Sequence, residues 1–198
     1  VNSLGSWCFD NCNAVSNIIF CKTSQYSLPL EFLKNNANLK TLYIPANVTL
    51  VKKGAFKMLY ALKSITFEGD TTVEDVFIEP VSGQTLRIYA ETDSPAYIYA
   101  GNTDSITPFP VGADFSDDAL IGGRYKSEDV FWEIVPNGTD TYMLHIFGRG
   151  STYGRTLAVN TETGTNEDIL TPYISKITYI KIGGSVSAVE SSSFRSYS

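Results

Sequence analysis

Between Leu39 and Phe67 the apolar and polar positions follow neither a helix nor an isolated strand. The apolar residues fall at Leu39, Leu42, Ile44, Val48, Val51, Phe56, Leu62, Ile65 and Phe67. The first three follow L-x-x-L-x-I, and Leu62, Ile65 and Phe67 repeat that pattern 23 residues later. A helix would keep spacings of three and four throughout, and a half-buried strand would alternate for several residues. A short alternating piece, then a looser apolar stretch ending on one large aromatic, predicts a unit that buries its face only by stacking on copies of itself.

Further copies are present. Val1, Leu4, Phe9, Val15, Ile18 and Phe20 have the spacings of Val48, Val51, Phe56, Leu62, Ile65 and Phe67. Between them lies a weaker copy with Leu28, Leu33, Leu39, Leu42 and Ile44, in which Leu33 stands where the others have Phe. The step from Phe9 to Leu33 is 24 residues and from Leu33 to Phe56 it is 23. Far downstream, Ile177, Ile180, Ile182, Val186, Val189 and Phe194 follow the same order. The expected fold is a β-rich solenoid of repeats of about 23 residues, each a short strand with an irregular or briefly helical return.

The run L39-KT-L42-Y-I44-P45-AN-V48-TL-V51-KKG-A55-F56 resembles the repeat of BspA-like leucine-rich-repeat proteins, a family of bacterial surface and secreted proteins. The markers are Pro directly after the strand and Ala-Phe near the end of the unit. Cys8-Phe9 and Ser193-Phe194 take the Ala-Phe place in the outer copies. The resemblance implies a curved solenoid, no catalytic centre, and roles in adhesion or in binding host or matrix proteins.

Three regions are expected. Residues 1–110 form a first array of about four units with a C-terminal cap, 111–173 a linker and β-rich spacer, and 174–198 the start of a second array. Leu86–Tyr89 reads as the last strand of the first array. Ser94-Pro95 then opens a helix, Ser as N-cap and Pro at the first position, closed by Gly101-Asn102. TLRIYAETDSPAYIYAGNTDSITPF resembles the array-ending segment of the same family, where a helix covers the final repeat. Such a cover is needed because a terminal repeat exposes apolar surface and an open strand edge. Pro108–Gly112 and Asp114–Asp118 read as a linker. Strands are expected at Val130–Val135, Tyr142–Phe147 and Arg155–Val159, with turns at Pro136-Asn-Gly138 and Gly148-Arg-Gly150. FWEIVPNGTDTYMLHIFGRG resembles the β-rich prelude that precedes an array in this family. Thr161–Thr171 reads as a polar loop.

Composition narrows the function classes. A formal charge of −6 without a Lys/Arg cluster argues against nucleic acid and against anionic membranes. No apolar run approaches the roughly 18 residues a spanning helix needs. Val1 already holds a core position, so no signal peptide is expected here, and the natural start is expected upstream; Phe194–Ser198 stops within a repeat. An extracellular or cell-surface location follows from the resemblance. Cys8, Cys12 and Cys21 read as buried structural thiols, with Cys8 pointing inward at the place of Ala55. A Cys8–Cys12 disulfide is weakly motivated. The only histidine, His145, is remote from them, which leaves a zinc site short of a ligand.

Within each strand the residues between the Leu and Ile positions face outward. These are Asn17 and Ile19, Thr41 and Tyr43, Ser64 and Thr66, and Arg87 and Tyr89. Stacked about 5 Å apart, they define a concave binding face of Ile19, Thr41, Tyr43, Ser64, Thr66, Arg87 and Tyr89; Tyr and Thr are also simply good strand formers. Phe131, Trp132, Tyr142, Phe147 and Tyr153 would stack on sugar rings if exposed, yet alternation turns half of them into the core. Asp117-Asp118 and Glu167-Asp168 lack the spacing of a calcium loop and read as solvated charge. Asn47-Val-Thr49 and Asn137-Gly-Thr139 fit the glycosylation pattern, which matters only in a secretory eukaryotic host. With one His and neither a nucleophile elbow nor a phosphate-cradling loop, no enzyme, metal or cofactor is expected. The reading is a non-catalytic recognition or adhesion module with a protein or glycan ligand. The alternatives are a spacer or scaffold without a ligand, and glycan binding by the β-rich spacer.

Overall fold

The computed structural model describes residues 4–20, 22, 24–124, 129–151 and 171–188. The expected strand Arg155–Val159, the Thr161–Thr171 loop up to residue 170, Val1, Cys21, Tyr153, Glu167-Asp168, Val189 and Phe194 lie outside them. The chain divides into two compact units, 1–111 and 112–198.

In the first unit the strands are β1 (Tyr26–Leu28), β2 (Thr41–Ile44), β3 (Val48–Val51), β4 (Ser64–Phe67), β5 (Thr72–Val73) and β6 (Leu86–Ala90). Helix α1 (Pro95–Gly101) and β7 (Ile106–Pro110) complete it. They build two parallel sheets, ordered β1-β3-β5 and β2-β4-β6-β7. Equivalent residues of successive turns sit side by side, as in Leu42↔Ile65↔Ile88. The result is a β-rich repeat solenoid of about four turns.

One expectation needs correction. The return after β2 is not irregular, because Val48–Val51 is a second strand of the same turn. Pro45 ends β2, having no N–H to continue a ladder, and Val48 N–H donates to the Pro45 carbonyl at 3.0 Å to close the corner. Val48 and Val51 are both fully buried across a spacing of three.

Each turn then closes through left-handed residues at matching places. Trp7, Glu31, Gly54 and Val76 form one set, at φ between 53° and 64°, and Asn11, Asn35 and Met58 the other. Backbone bonds tie the turns together there: Gly54 N–H to the Val76 carbonyl at 2.8 Å, Leu33 N–H to Ala55 at 2.9 Å, Asn35 N–H to Lys57 at 3.2 Å. Inside, Leu42, Ile65, Ile88 and their neighbours are buried, with aromatic rings running along the axis: Phe56–Phe77 at 6.0 Å, Phe67–Phe77 at 6.1 Å, Phe77–Tyr99 at 4.6 Å. In the second turn the aromatic is Phe32, at the place of Ala55, with Leu33 beside it. Cys8, expected to point inward at that place, is exposed, and both Cys8 and Cys12 are free thiols. The first turn packs on the second along one side only among the described residues, which leaves its small-residue position uncovered.

The cap forms as the sequence indicates at its start. Ser94 Oγ accepts from Tyr97 N–H at 3.3 Å, and Pro95 occupies the first turn. Its end differs: Gly101 is helical, and Asn102 closes the helix through its backbone and Nδ2, both donating to the Ile98 carbonyl. Ala96 and Ala100 are buried, small enough for α1 to lie close on the last strands. Pro108–Pro110 is not linker but part of β7, paired along its length with β6, and Phe109 is fully buried. An edge strand tolerates proline because its outer side needs no donors.

The second unit contains β8 (Ile121–Arg124), β9 (Asp129–Gly138), β10 (Thr141–Ser151), α2 (Thr171–Ile174), β11 (Ile177–Ile182) and β12 (Val186–Ala188). The sheet runs β11-β10-β9-β8, and β12 also pairs with β10. The β9–β10 hairpin turns at Thr139-Asp140, beyond the Pro136–Gly138 expected. Gly148-Arg-Gly150 is no turn at all, since β10 runs through it to Ser151. Gly148 sits at φ +100°, where an added Cβ would collide with the Asp129 carbonyl oxygen. Glycine serves close approach here, not reversal.

Both faces of β9 are buried. Val130, Trp132 and Ile134 pack with Leu144 and Ile146. On the other face Phe131 meets Phe115 and Phe147, and Glu133 is buried. β11 and β12 join β10 in parallel, and Val186 N–H donates to Gly183 at 3.1 Å, matching the corner between Val48 and Pro45. Of the residues expected to face inward, Ile177 is half-buried, but Ile180 and Ile182 are about half exposed.

Candidate functional site

The outer side of the four-stranded sheet carries two rows. Thr41↔Ser64↔Arg87↔Thr107 form one and Tyr43↔Thr66↔Tyr89↔Phe109 the other. Six of the seven expected residues therefore stand together, about 4.8 Å apart from strand to strand. The seventh does not: residues 17–20 form no strand, and Ile19, 88% exposed, joins neither row.

The rows are not uniform. Thr41 and Tyr43 are exposed, Tyr43 at 44%, whereas Ser64, Thr66, Arg87 and Tyr89 are half-buried. The Arg87 guanidinium lies over the Phe109 ring at 5.1 Å, and the Tyr89 ring is 5.4 Å from it. The accessible aromatic group is thus at the β2 end.

Two residues missed in sequence complete that end. Lys22 Nζ lies 5.2 Å from the Tyr43 ring centre and bonds both Glu68 carboxylate oxygens, at 3.0 and 3.2 Å. Ala46 N–H donates to Glu68 Oε2 at 3.3 Å. The hydrogen bond from Lys22, then that from Tyr43, holds the Glu68 carboxyl below its ordinary range, and Glu68 in turn raises the Lys22 amine. The available signal was charge just past two of the apolar triplets, two turns apart: Lys22 stands two residues after Phe20 and Glu68 one after Phe67.

The spacer aromatics offer less. Trp132 and Phe131 are buried, and Tyr142 packs edge-on against Tyr173 at 5.1 Å, so Trp132 and Tyr142 make no exposed pair. His145 Nδ1 lies 2.8 Å from Glu133 Oε1, while Ser116 N–H donates to Glu133 Oε2 at 2.7 Å. Those bonds satisfy a buried carboxylate and hold the 115–119 segment on the sheet. The Asn47 amide of the glycosylation pattern donates to the Ser24 carbonyl. No metal-ligating group of three, and no helix long and apolar enough to cross a membrane, occurs among the described residues.

Parallel sheets built from one repeating turn, with a side-chain ladder on one face, define a leucine-rich-repeat solenoid. More particularly, residues 1–79 match the family model of the BspA type leucine rich repeat region, in six copies, and that stretch is a repeat array of this type. No curated protein and no solved structure matches the chain.

Proposed function

We propose that the array is a non-catalytic recognition module of a surface or secreted protein, binding a macromolecule, a host or matrix protein first, at the β2 end of its outer sheet face. The observation that carries this reading is Tyr43, exposed on a rigid strand and flanked by the Lys22–Glu68 pair. An aromatic held without much rotamer freedom beside opposed charges is the composition of an interface anchor. Repeats of the BspA type point the same way, toward protein interaction at a surface. We assign residues 1–110 to this module, 111–173 to a spacer, and 174–198 to the opening of a second array. The two-strand corner at Gly183–Val186 supports that last assignment.

The test is a binding screen of the chain against matrix glycoproteins and a glycan array, beside Tyr43→Ala with Lys22→Ala. Binding by the intact chain and at least tenfold weaker binding by the folded variant support the β2 end. Binding that survives both substitutions moves the site away from it. No binding by the intact chain favours a scaffold, as the small Ser64 and Thr66 at the centre of the rows would suit.

A further inference from the structure

A second surface of the array lies between the segment after β5 and helix α1. Residues 74–80 follow β5 and pass beneath α1, leaving a cleft of about 500 Å³ lined by Asp75, Val76, Ile78, Glu79, Pro80, Tyr99 and Thr103. That volume suits a large side chain with its neighbours. Its floor and walls are apolar: Ile78, Pro80, the Tyr99 ring and the Val76 side chain. Tyr99 is fixed in place, its hydroxyl donating to the Ile78 carbonyl at 3.1 Å.

Val76 is unexpected there. It holds the left-handed place that Gly54 fills one turn earlier, at φ +56°, and is 38% exposed. A β-branched residue is strained in that conformation, and burial does not recover the cost. What valine adds over glycine is an isopropyl wall for the cleft.

The rim is acidic. Asp75 has no ion-pair partner among the described residues, and Lys57 reaches Glu79 only at 3.6 Å. Burial chiefly raises the Tyr99 hydroxyl above the usual phenol range; a Thr103 hydrogen bond opposes this, and the charges of Asp75 and Glu79 add to it. Both carboxylates line the cleft beside the Tyr99 ring.

We propose that this cleft receives an arginine side chain of a partner protein, the alkyl stem against Val76 and Pro80 and the guanidinium between the Tyr99 ring and the acidic rim. Arginine fits better than lysine because its planar, weakly hydrated head stacks on an aromatic ring and forks to carboxylates. The proposal stands apart from the Tyr43 reading, sharing no residue with it.

The test uses acetyl-Leu-Arg-amide and its citrulline counterpart, which keeps the shape without the charge. Each is titrated into the isotope-labelled chain while the Val76 methyl and Tyr99 ring signals are followed. Saturable shifts are expected with the arginine peptide and about fivefold weaker binding with citrulline. Asp75→Asn with Glu79→Gln, both exposed positions, should remove that preference, and Tyr43→Ala should leave it intact. Equal binding of both peptides, a preference that survives the Asp75 and Glu79 substitutions, or no shift at the peptide's solubility limit overturns the proposal.

Discussion

Phe9 and Phe56 hold the same place in the first and third turns, after Cys8 and Ala55 and at the same distance from the next apolar triplet, Val15-Ile18-Phe20 or Leu62-Ile65-Phe67. Phe56 is fully buried and Phe9 is 43% exposed, although Phe9 still meets Phe32 edge-on at 5.3 Å. The triplets themselves diverge likewise: Leu62, Ile65 and Phe67 are buried, while Val15, Ile18 and Phe20 are half-covered. The difference lies in the neighbours. A turn of this solenoid encodes which side chains point inward, and the adjoining turns supply the burial.

Truncation at the two places should separate these contributions most strongly. Phe56→Ala is expected to cost about 3–5 kcal/mol, as for an aromatic removed from a packed core, and Phe9→Ala about 1 kcal/mol or less. Denaturant unfolding followed by tyrosine fluorescence measures both. Equal costs would break the comparison and mean that the first turn is covered in solution.

A smaller effect is expected three residues further on. Asn36 is buried, and its Nδ2 donates to the carbonyls of Phe9, Leu33 and Lys34; Cys12 and Leu59 stand there in the turns on either side. Asn36→Ala should cost about 2 kcal/mol, because the carbonyls lose a buried donor. Cys12→Ala, at a half-covered place, should change stability by less than about 0.5 kcal/mol. Thermal melts of the two variants sharpen the comparison if the gap appears.

The smallest effect is electrostatic and lies at the exposed end. Glu68 has its carboxyl lowered in the folded chain, so its contribution is complete above the ordinary carboxylate range and fades as the pH falls through the lowered value. Lys22→Met removes the largest cause and leaves the Tyr43 hydrogen bond. Melting temperatures of the parent and Lys22→Met should differ by a constant amount at neutral pH and converge in acid, with high salt shrinking the gap. A difference unchanged down to strongly acid pH would assign the effect to packing of the lysine stem instead.

Much of the array was legible because inward residues recur at fixed offsets: L-x-x-L-x-I at Leu39–Ile44 and Leu62–Phe67 placed β2, β4 and the outward rows. The second strand of each turn was not, since Val48 and Val51 are both inward across three residues and imitate a helical or loose spacing. Leu33 fills the place of Phe56 as its spacing indicates, but the ring of the second turn comes from Phe32 at the place of Ala55, which the apolar spacing alone does not mark. Pro108–Pro110 and Gly148–Gly150 carry turn composition inside strands. An edge removes the need for the proline donor, and a close carbonyl demands the glycine. At the site, Tyr43 could be read from its own strand, whereas the Lys22–Glu68 pair spans two turns and exists only once they stack.

The left-handed residues that close each turn also say how such a chain can lengthen. A block from Glu31 to the residue before Gly54 carries one complete turn with its corner, and both its seams are parallel strands that accept a like neighbour. Duplicating that block in the gene would extend the outer face by about 4.8 Å without redesigning either junction. The steps of 24, 23 and 22 residues between Trp7, Glu31, Gly54 and Val76 show that the copies need not be of equal length. Reach is therefore a trait that recombination can adjust while the anchoring chemistry of any one turn is left alone.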